Sequence, residues 1–226
     1  MVKLSKSRAL AMLAGCAALA ACSSPDPVPY SGLASSSRLA PNLQDEDKRT
    51  PYRFASPVDW RTYNKLILDP VAVYRGADQQ FDDLSEEDKN DLASYMQKTF
   101  AEKLRRSFIQ TQTPAPGALR IKLTLTGAAS TTMILGTLSH FDIAGGLYNS
   151  VQSVRGREGT LTGSVSYAVE IYDAPTNRLL TAFITKQYPN AMNITATMGS
   201  LGAAKVGIEK GADALVQQLT RRSESL

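Results

Sequence analysis

The sequence predicts an α+β fold in which a mostly antiparallel sheet carries two helices packed on one face. Three features support this prediction. Alternating apolar and polar residues mark strands with one solvent-facing side, turn residues between two such strands indicate an antiparallel hairpin, and two stretches have helical spacing. In chain order the elements are β-α-β-(insert)-β-β-α, which favours a layer of helices against one sheet.

Ahead of these elements, residues 1–21 have the layout of a secretory signal peptide. Lys3, Lys6 and Arg8 precede an uncharged apolar run of about thirteen residues, which is too short for a membrane span of roughly 20. The run ends in Leu19-Ala20-Ala21-Cys22, which resembles the lipobox of bacterial lipoproteins. This resemblance implies that Cys22 carries acyl chains such as palmitate, which anchor the mature protein to a membrane.

Two alternatives to this anchor stay open. Leu13-Ala14-Gly15-Cys16 also fits a lipobox, although cleavage there would place more apolar residues in the mature chain. The other alternative is an exported protein without acylation. An Asp after the cysteine is the signal that retains lipoproteins in the inner membrane. Because Ser23 stands there, we expect a Gram-negative outer-membrane lipoprotein that faces the periplasm.

Removal of the signal peptide changes what the composition implies. The net charge falls from +4 to about +1, so a nucleic-acid partner loses its main support. Both cysteines lie within 1–22, and we expect no disulfide in the mature domain. The remaining 205 residues suffice for one core and a tail.

Residues 22–60 are predicted to be the lipidated cysteine and a Pro/Ser-rich tether. Prolines recur from 25 to 57 and favour extended chain over packed structure. Tyr30, Leu33 and Trp60 are too apolar for a simple spacer. We therefore expect the second half of the tether to lie against a single periplasmic domain at 61–226.

The domain begins with a strand and a helix. The strand is predicted at 66–74, where Pro70 cannot donate to a ladder and marks an edge or a bulge. Ser85 and the three acids that follow it indicate a helix start, and apolar residues at three- and four-residue steps continue to Leu104.

Three strands and a second helix complete the domain. Residues 119–125 and 160–172 alternate, with Glu170 on the outward side, and 179–188 returns after a turn in which Asn177 can adopt positive φ. The last helix is predicted over 200–221. Gly207 and Gly211 lie on its apolar stripe, where each costs about 1 kcal/mol relative to Ala, so we expect close approach to the sheet.

Residues 127–154 form an apolar insert with one formal charge, at Asp142, and no sustained period. A long connection over the open sheet face is one interpretation, and a contact surface for a partner is another. A membrane-inserted element is disfavoured by the glycines and by Asp142. The residues of the possible partner surface are Met133, Ile134, Leu135, Leu138 and Phe141.

The sequence predicts no catalytic, cofactor or metal site. His140 is the single histidine, which excludes a metal site with two histidine ligands in one chain. The motifs of a nucleophile elbow and of phosphate-binding loops do not occur. Asp69 is interpreted as a bulge residue bonded to backbone amides, Asp173 as a hairpin turn residue, and the acids at 86–88 as a helix start.

Three stretches carry a resemblance to a known family. They are Tyr30-Ser31-Gly32-Leu33, Leu66-Ile67-Leu68-Asp69-Pro70-Val71 and Glu170-Ile171-Tyr172-Asp173-Ala174-Pro175-Thr176-Asn177. With them the chain resembles, over about 30–220, the uncharacterised Gram-negative lipoprotein family filed as domain of unknown function 3313. That family usually has Thr-Gly where this hairpin has Thr176-Asn177. The resemblance implies a location and a fold, and it brings no activity and no catalytic residue.

We therefore expect a non-enzymatic, lipid-anchored lipoprotein whose periplasmic domain binds an envelope protein or another cell-wall component. No cofactor and no nucleic acid are expected. One alternative is a carboxylate-dependent hydrolase of an envelope substrate, which a pocket holding two acids about 5–9.5 Å apart would favour. The other is a structural protein that self-assembles through 127–154.

Overall fold

The computed structural model describes residues 25–81, 83–130, 163–189 and 200–220. These ranges form an open, mixed and mostly antiparallel sheet with two helices on one face, which confirms the predicted fold class. The strands are β1 (Ala40–Pro41), β2 (Tyr52–Ala55), β3 (Lys65–Leu68), β4 (Ala72–Val73), β5 (Gln80–Phe81), β6 (Ile109–Gln110), β7 (Ala118–Ala129), β8 (Ser164–Asp173) and β9 (Arg178–Gln187), and the helices are α1 (Glu86–Leu104) and α2 (Gly202–Thr220). The strand order is β1-β2-β9-β8-β7-β3-β6, and β4 and β5 also pair with β7.

The three long strands form the centre of the sheet. β7 pairs antiparallel with β8 from Leu119 opposite Asp173 to Ala129 opposite Ser164. β8 and β9 form the predicted hairpin, and Asn177 adopts a φ of 55° in its turn, as expected for an asparagine there. Every second residue of β7 and β8 faces the helices and contributes to the main core.

The strand predicted at 66–74 is divided in two. β3 and β4 both pair in parallel with β7, and Asp69 and Pro70 lie between them. Pro70 has no N–H to give to a ladder, so the pairing breaks there and resumes at Ala72. β5 continues along the same side of β7, and residues 65–81 therefore run parallel to most of its length.

Both helices pack through the faces that the sequence predicts. Ser85 caps α1 by accepting the Asp88 N–H at 3.1 Å. On α2, a Cβ at Gly207 would lie 2.9 Å from the carbonyl oxygen of Gln187, and a Cβ at Gly211 would lie 1.7 Å from Tyr167 Oη. The two glycines thus allow the close approach that the sequence predicts.

The opposite face of the sheet is covered by residues 28–39, and here the structure differs from the expected tether. Tyr30 and Leu33 are buried in a second cluster with Ala168 of β8 and Ile184 of β9. β1 and β2 extend the sheet beyond β9. Burial of large apolar side chains outweighs the preference of the prolines for free extended chain. The folded unit therefore starts near residue 28 and not at 61.

Hydrogen bonds fix this N-terminal segment to the turn between β4 and β5. Tyr74 Oη accepts the Gly32 N–H at 2.9 Å and donates to Asp78 Oδ1 at 2.7 Å. The second carboxylate oxygen of Asp78 accepts the Ser31 N–H at 2.8 Å. These hydrogen bonds hold the pKa of the Asp78 carboxyl below its usual value, and the bond from Tyr74 contributes most.

Candidate functional site

Several residues singled out from the sequence lie outside the described ranges. They are Cys22, His140 and the possible partner surface of Met133, Ile134, Leu135, Leu138 and Phe141. The predictions made for these residues stay predictions.

Asp69 has a different partner from the one predicted. Its Oδ1 lies 3.3 Å from Nε of Arg120 on β7, so the structure pairs it with a guanidinium where backbone amides were expected. The break at Pro70 leaves Asp69 partly buried beside β7, and a charge in that position needs an opposite charge or hydrogen-bond donors. The contact is an ion pair, and in the described part of the chain Arg120 Nε has no hydrogen-bond partner.

Asp173 is a turn residue, as predicted. Its carboxylate accepts hydrogen bonds from the hydroxyl of Thr176 and, at 3.1 Å, from the Thr176 N–H. It also accepts a hydrogen bond from the hydroxyl of Tyr63 at 3.1 Å. These hydrogen bonds, led by that of the Thr176 side chain, lower the pKa of the Asp173 carboxyl. At the start of α1, Glu86 forms ion pairs with Arg75 and Lys89, in keeping with a helix start.

Within the described ranges, no group of three or more His, Cys, Asp or Glu residues is placed to hold a metal ion. In the same part of the chain, neither helix is long and apolar enough to cross a membrane.

Glu170 is a buried acid that the alternation of β8 assigns to solvent. It is 4% exposed and accepts the Ser35 N–H at 2.7 Å. Burial and the negative charge of Glu170 raise the pKa of Tyr172 to about 12. The signal that could have revealed this burial is the apolar content of residues 28–39, which cover this face. Glu170 serves to hold that segment in place.

A groove of about 850 Å³ lies between α1 and the outer edge of β3 and β4. One wall is formed by Leu68, Val71 and Val73 of the sheet edge, and the other includes Ala93 and Ala101 of α1. These apolar residues line a groove whose helix wall otherwise consists of polar side chains.

The charged residues among the described lining of this groove are Arg75 and Lys98. Arg75 is paired with Glu86 near one end, and the side chain of Lys98 is exposed on α1. No carboxylate, histidine or cysteine is found among the described residues that line it. The described lining thus combines apolar side chains and amides with two cations.

The sheet wall of the groove is a backbone edge. Tyr74 donates its N–H to the Leu125 carbonyl at 2.8 Å, so its neighbour Val73 turns its backbone groups away from β7, as alternate residues of a parallel ladder do. The Val71 N–H, on the same outer side, donates to Oε1 of Gln97 on α1 at 2.8 Å. A side-chain amide thus stands where the carbonyl of another strand would bind.

The fold and this groove define an α+β domain with one open sheet, one layer of helices and an apolar slot at the sheet edge. The chain belongs to the family described as a protein of unknown function, DUF3313, which matches residues 29–215. The match starts at the segment that covers the sheet and ends within α2. No curated protein matches the sequence.

Three solved structures are similar to this chain at low sequence identity. A PelC dodecamer from Paraburkholderia phytofirmans is 10% identical over 74% of this chain and 95% of its own, with a TM-score of 0.36. A protein of Xanthomonas campestris from family DUF330 is 9% identical over 72% and 87%, with a TM-score of 0.32. A homologue of the neuraminyllactose-binding hemagglutinin from Helicobacter pylori is 7% identical over 73% and 86%, with a TM-score of 0.33. These likenesses carry no information about the function of this chain.

Proposed function

We propose that this protein is a non-enzymatic outer-membrane lipoprotein, anchored through acyl chains on Cys22, whose periplasmic domain binds another component of the envelope. Tyr30 is 1% exposed and follows Cys22 by eight residues, which limits the distance between the folded domain and such an anchor. Eight residues span at most about 28 Å. An anchor at Cys22 would therefore hold the domain close to the membrane surface.

The observation that carries the proposed binding function is the groove beside α1, whose lining supports binding over catalysis. Its described lining combines apolar side chains and amides with two cations, and it lacks the pair of acids that a carboxylate-dependent hydrolase needs. The acids that the sequence drew attention to, Asp69 and Asp173, are engaged by Arg120 and by a turn. Both therefore serve the fold.

Lipidation is tested by growing the source bacterium with an alkyne analogue of palmitate and measuring label on the protein. We expect label on the natural chain and on Cys16→Ser, which keeps the Leu19–Cys22 lipobox, and none on Cys22→Ser. Label that survives Cys22→Ser and disappears with Cys16→Ser would move the anchor to Cys16. An unlabelled natural chain would refute the anchor altogether.

Membrane sorting is tested by separating inner and outer membranes on a density gradient. The natural chain, with Ser23 after the cysteine, is expected in the outer-membrane fraction. The variant Ser23→Asp is expected in the inner-membrane fraction, because it supplies the retention signal. If both proteins are found in the inner membrane, the proposed location is wrong.

Binding is tested by crosslinking the full lipoprotein in cells and identifying what co-purifies by mass spectrometry. A variant with Met133, Ile134, Leu135 and Leu138 changed to Ser serves as the comparison. One dominant partner that is lost from this variant would support both binding and the predicted surface. Background alone from both proteins would refute the binding function, and assays of cell-wall turnover would then test the hydrolase alternative.

A further inference from the structure

The outer edge of the sheet already accepts one extended segment of this chain. β6 adds in parallel to β3, with the Ile109 N–H donating to the Asn64 carbonyl at 2.9 Å and the Thr111 N–H to the Leu66 carbonyl at 3.0 Å. This pairing ends at Leu66, while the edge continues past Pro70 into β4. In the described part of the chain, no strand lies outside β4.

The edge past Leu66 lies inside the groove and has the groups that a further strand would bind. The backbone of Val73 faces away from β7, and the Val71 N–H is held by the flexible side chain of Gln97, which an incoming carbonyl could replace. Pro70 lacks an N–H and limits the usable edge to a short stretch. Side-chain contacts in the groove must therefore supply much of the affinity.

The charge of the groove selects among extended segments. Arg75 and Lys98 line it, and the described residues of its lining include no acid. Lys98 is exposed on α1 and lines the groove. There it would meet side chains of a segment paired with β4. Because Arg75 is already paired with Glu86, electrostatic complementarity favours acidic side chains near Lys98 above all and disfavours basic ones there.

We propose that the groove between β4 and α1 binds an extended, acidic segment of a partner protein, which adds as a strand to the outer edge of β4. The segment would exchange backbone hydrogen bonds with Val71 and Val73, place small apolar side chains between Leu68 and Ala101, and direct a carboxylate to Lys98. This inference rests on the proposed binding function and gives it a surface and a class of ligand.

The test pans a random peptide library displayed on phage over the full chain in detergent, and then measures the affinity of enriched peptides by fluorescence anisotropy. We expect acidic peptides with β-branched residues, bound more weakly as salt rises. Ser94→Trp, which fills the groove from an exposed position on α1, should abolish binding. Lys98→Glu should weaken it roughly tenfold.

Matched variants separate the groove from general effects of mutation. Asp91→Trp places the same side chain on α1 outside the groove, and Arg106→Glu makes the same charge reversal beyond the end of α1. Both should bind like the natural chain. Val73→Pro removes an outward N–H and leaves the Tyr74 bond to Leu125 in place, so it should lose binding while its melting temperature stays close to that of the natural chain.

Failure of this inference is distinguishable from failure of the proposed function. It is overturned if no peptide is enriched, or if enriched peptides bind Ser94→Trp as well as the natural chain. Binding of peptidoglycan sacculi that Ser94→Trp abolishes, without any enriched peptide, would assign the groove to glycan. Self-association lost in Ser94→Trp would assign it to a second copy. A crosslinked partner in cells that the groove variants retain would refute the groove and leave the binding function standing.

Discussion

At the scale of single residues, the contact between Tyr167 and Gly211 sets how closely α2 approaches the sheet. A Cβ at position 211 would lie 1.7 Å from Oη of a fully buried tyrosine. Ala is the better helix former by about 1 kcal/mol, so propensity alone predicts stabilisation by Gly211→Ala. We expect the reverse, a loss of about 2 kcal/mol in the free energy of unfolding measured in urea, because overpacking dominates.

A double-mutant cycle isolates this contact. Tyr167→Phe removes the Oη atom and leaves Cζ, which would lie 2.9 Å from the new Cβ. Gly211→Ala should therefore cost less in the Tyr167→Phe background than in the natural chain. Equal costs in both backgrounds would place the effect of Gly211 elsewhere.

Tyr30 makes stability depend on alkaline pH. Burial first, and the nearby charge of Asp78 among lesser causes, raise the pKa of Tyr30 to about 12. Because the pKa in the folded protein lies above the unfolded value of about 10, this contribution is complete below pH 10 and is lost as the pH approaches 12.

Tyr30→Phe should therefore lose less stability between about pH 10 and 12 than the natural chain. At neutral pH it should be about 1 kcal/mol less stable, since Tyr30 Oη donates to Gln80 Oε1 at 2.7 Å. Urea unfolding followed by circular dichroism at several pH values measures both effects. Parallel stability curves for the two proteins up to pH 12 would contradict the assignment to Tyr30.

Residues whose role is local were predictable, and residues whose role depends on a distant segment were not. Ser85 and Asn177 follow from capping and turn preferences within a few positions. The burial of Glu170 depends on Ser35, which lies 135 positions away. A period of two separates the faces of a strand, and it does not say whether a second layer covers the outer face.

At the scale of elements, the start of α1 rests on its cap. Ser85→Ala removes the acceptor of the Asp88 N–H and should lower the free energy of unfolding by about 1 kcal/mol. Ser94→Ala is the matched control, because Ser94 is exposed in the middle of the same helix. Its effect in the same urea titration should be a few tenths of a kcal/mol at most, and of stabilising sign. Equal losses from both variants would mean that the cap contributes nothing of its own.

The hairpin β8–β9 and both helices were predictable, because each depends on a pattern within one stretch of chain. The parallel pairing of 65–81 with β7 was not, because a strand's own residues do not identify a partner some fifty positions further on. The division of 66–74 follows from Pro70, whose effect was foreseen, although the Arg120 partner of Asp69 was not. That partner lies on a different strand, and only the register brings the two side chains together.

At the scale of the whole molecule, the segment predicted as a tether forms the second covering of the sheet. Prolines and serines favour an extended chain, and that local preference is compatible with lying across a sheet. The difference from a free tether arises from a few apolar side chains, above all Tyr30 and Leu33. The sequence marks them as too apolar for a spacer, but it does not show which surface they cover. The sheet therefore has an apolar cluster on each face, one under the helices and one under the extended segment.

Truncation from the N-terminus distinguishes a covering from a tether. A protein that starts at residue 25 should melt at the same temperature as one that starts at 23, because it keeps the buried Pro27 and the Asp26 carbonyl that accepts from Gln80 Nε2. A start at residue 40 removes two buried side chains worth about 2 kcal/mol each and the Ser35–Glu170 hydrogen bond worth about 1 kcal/mol. At roughly 2–4 °C per kcal/mol, the melting temperature should fall by about 10–20 °C. If the chain that starts at 40 instead melts at the same temperature as the other two, residues 28–39 add nothing to stability. An anchor at Cys22 would then leave the domain free to move away from the membrane.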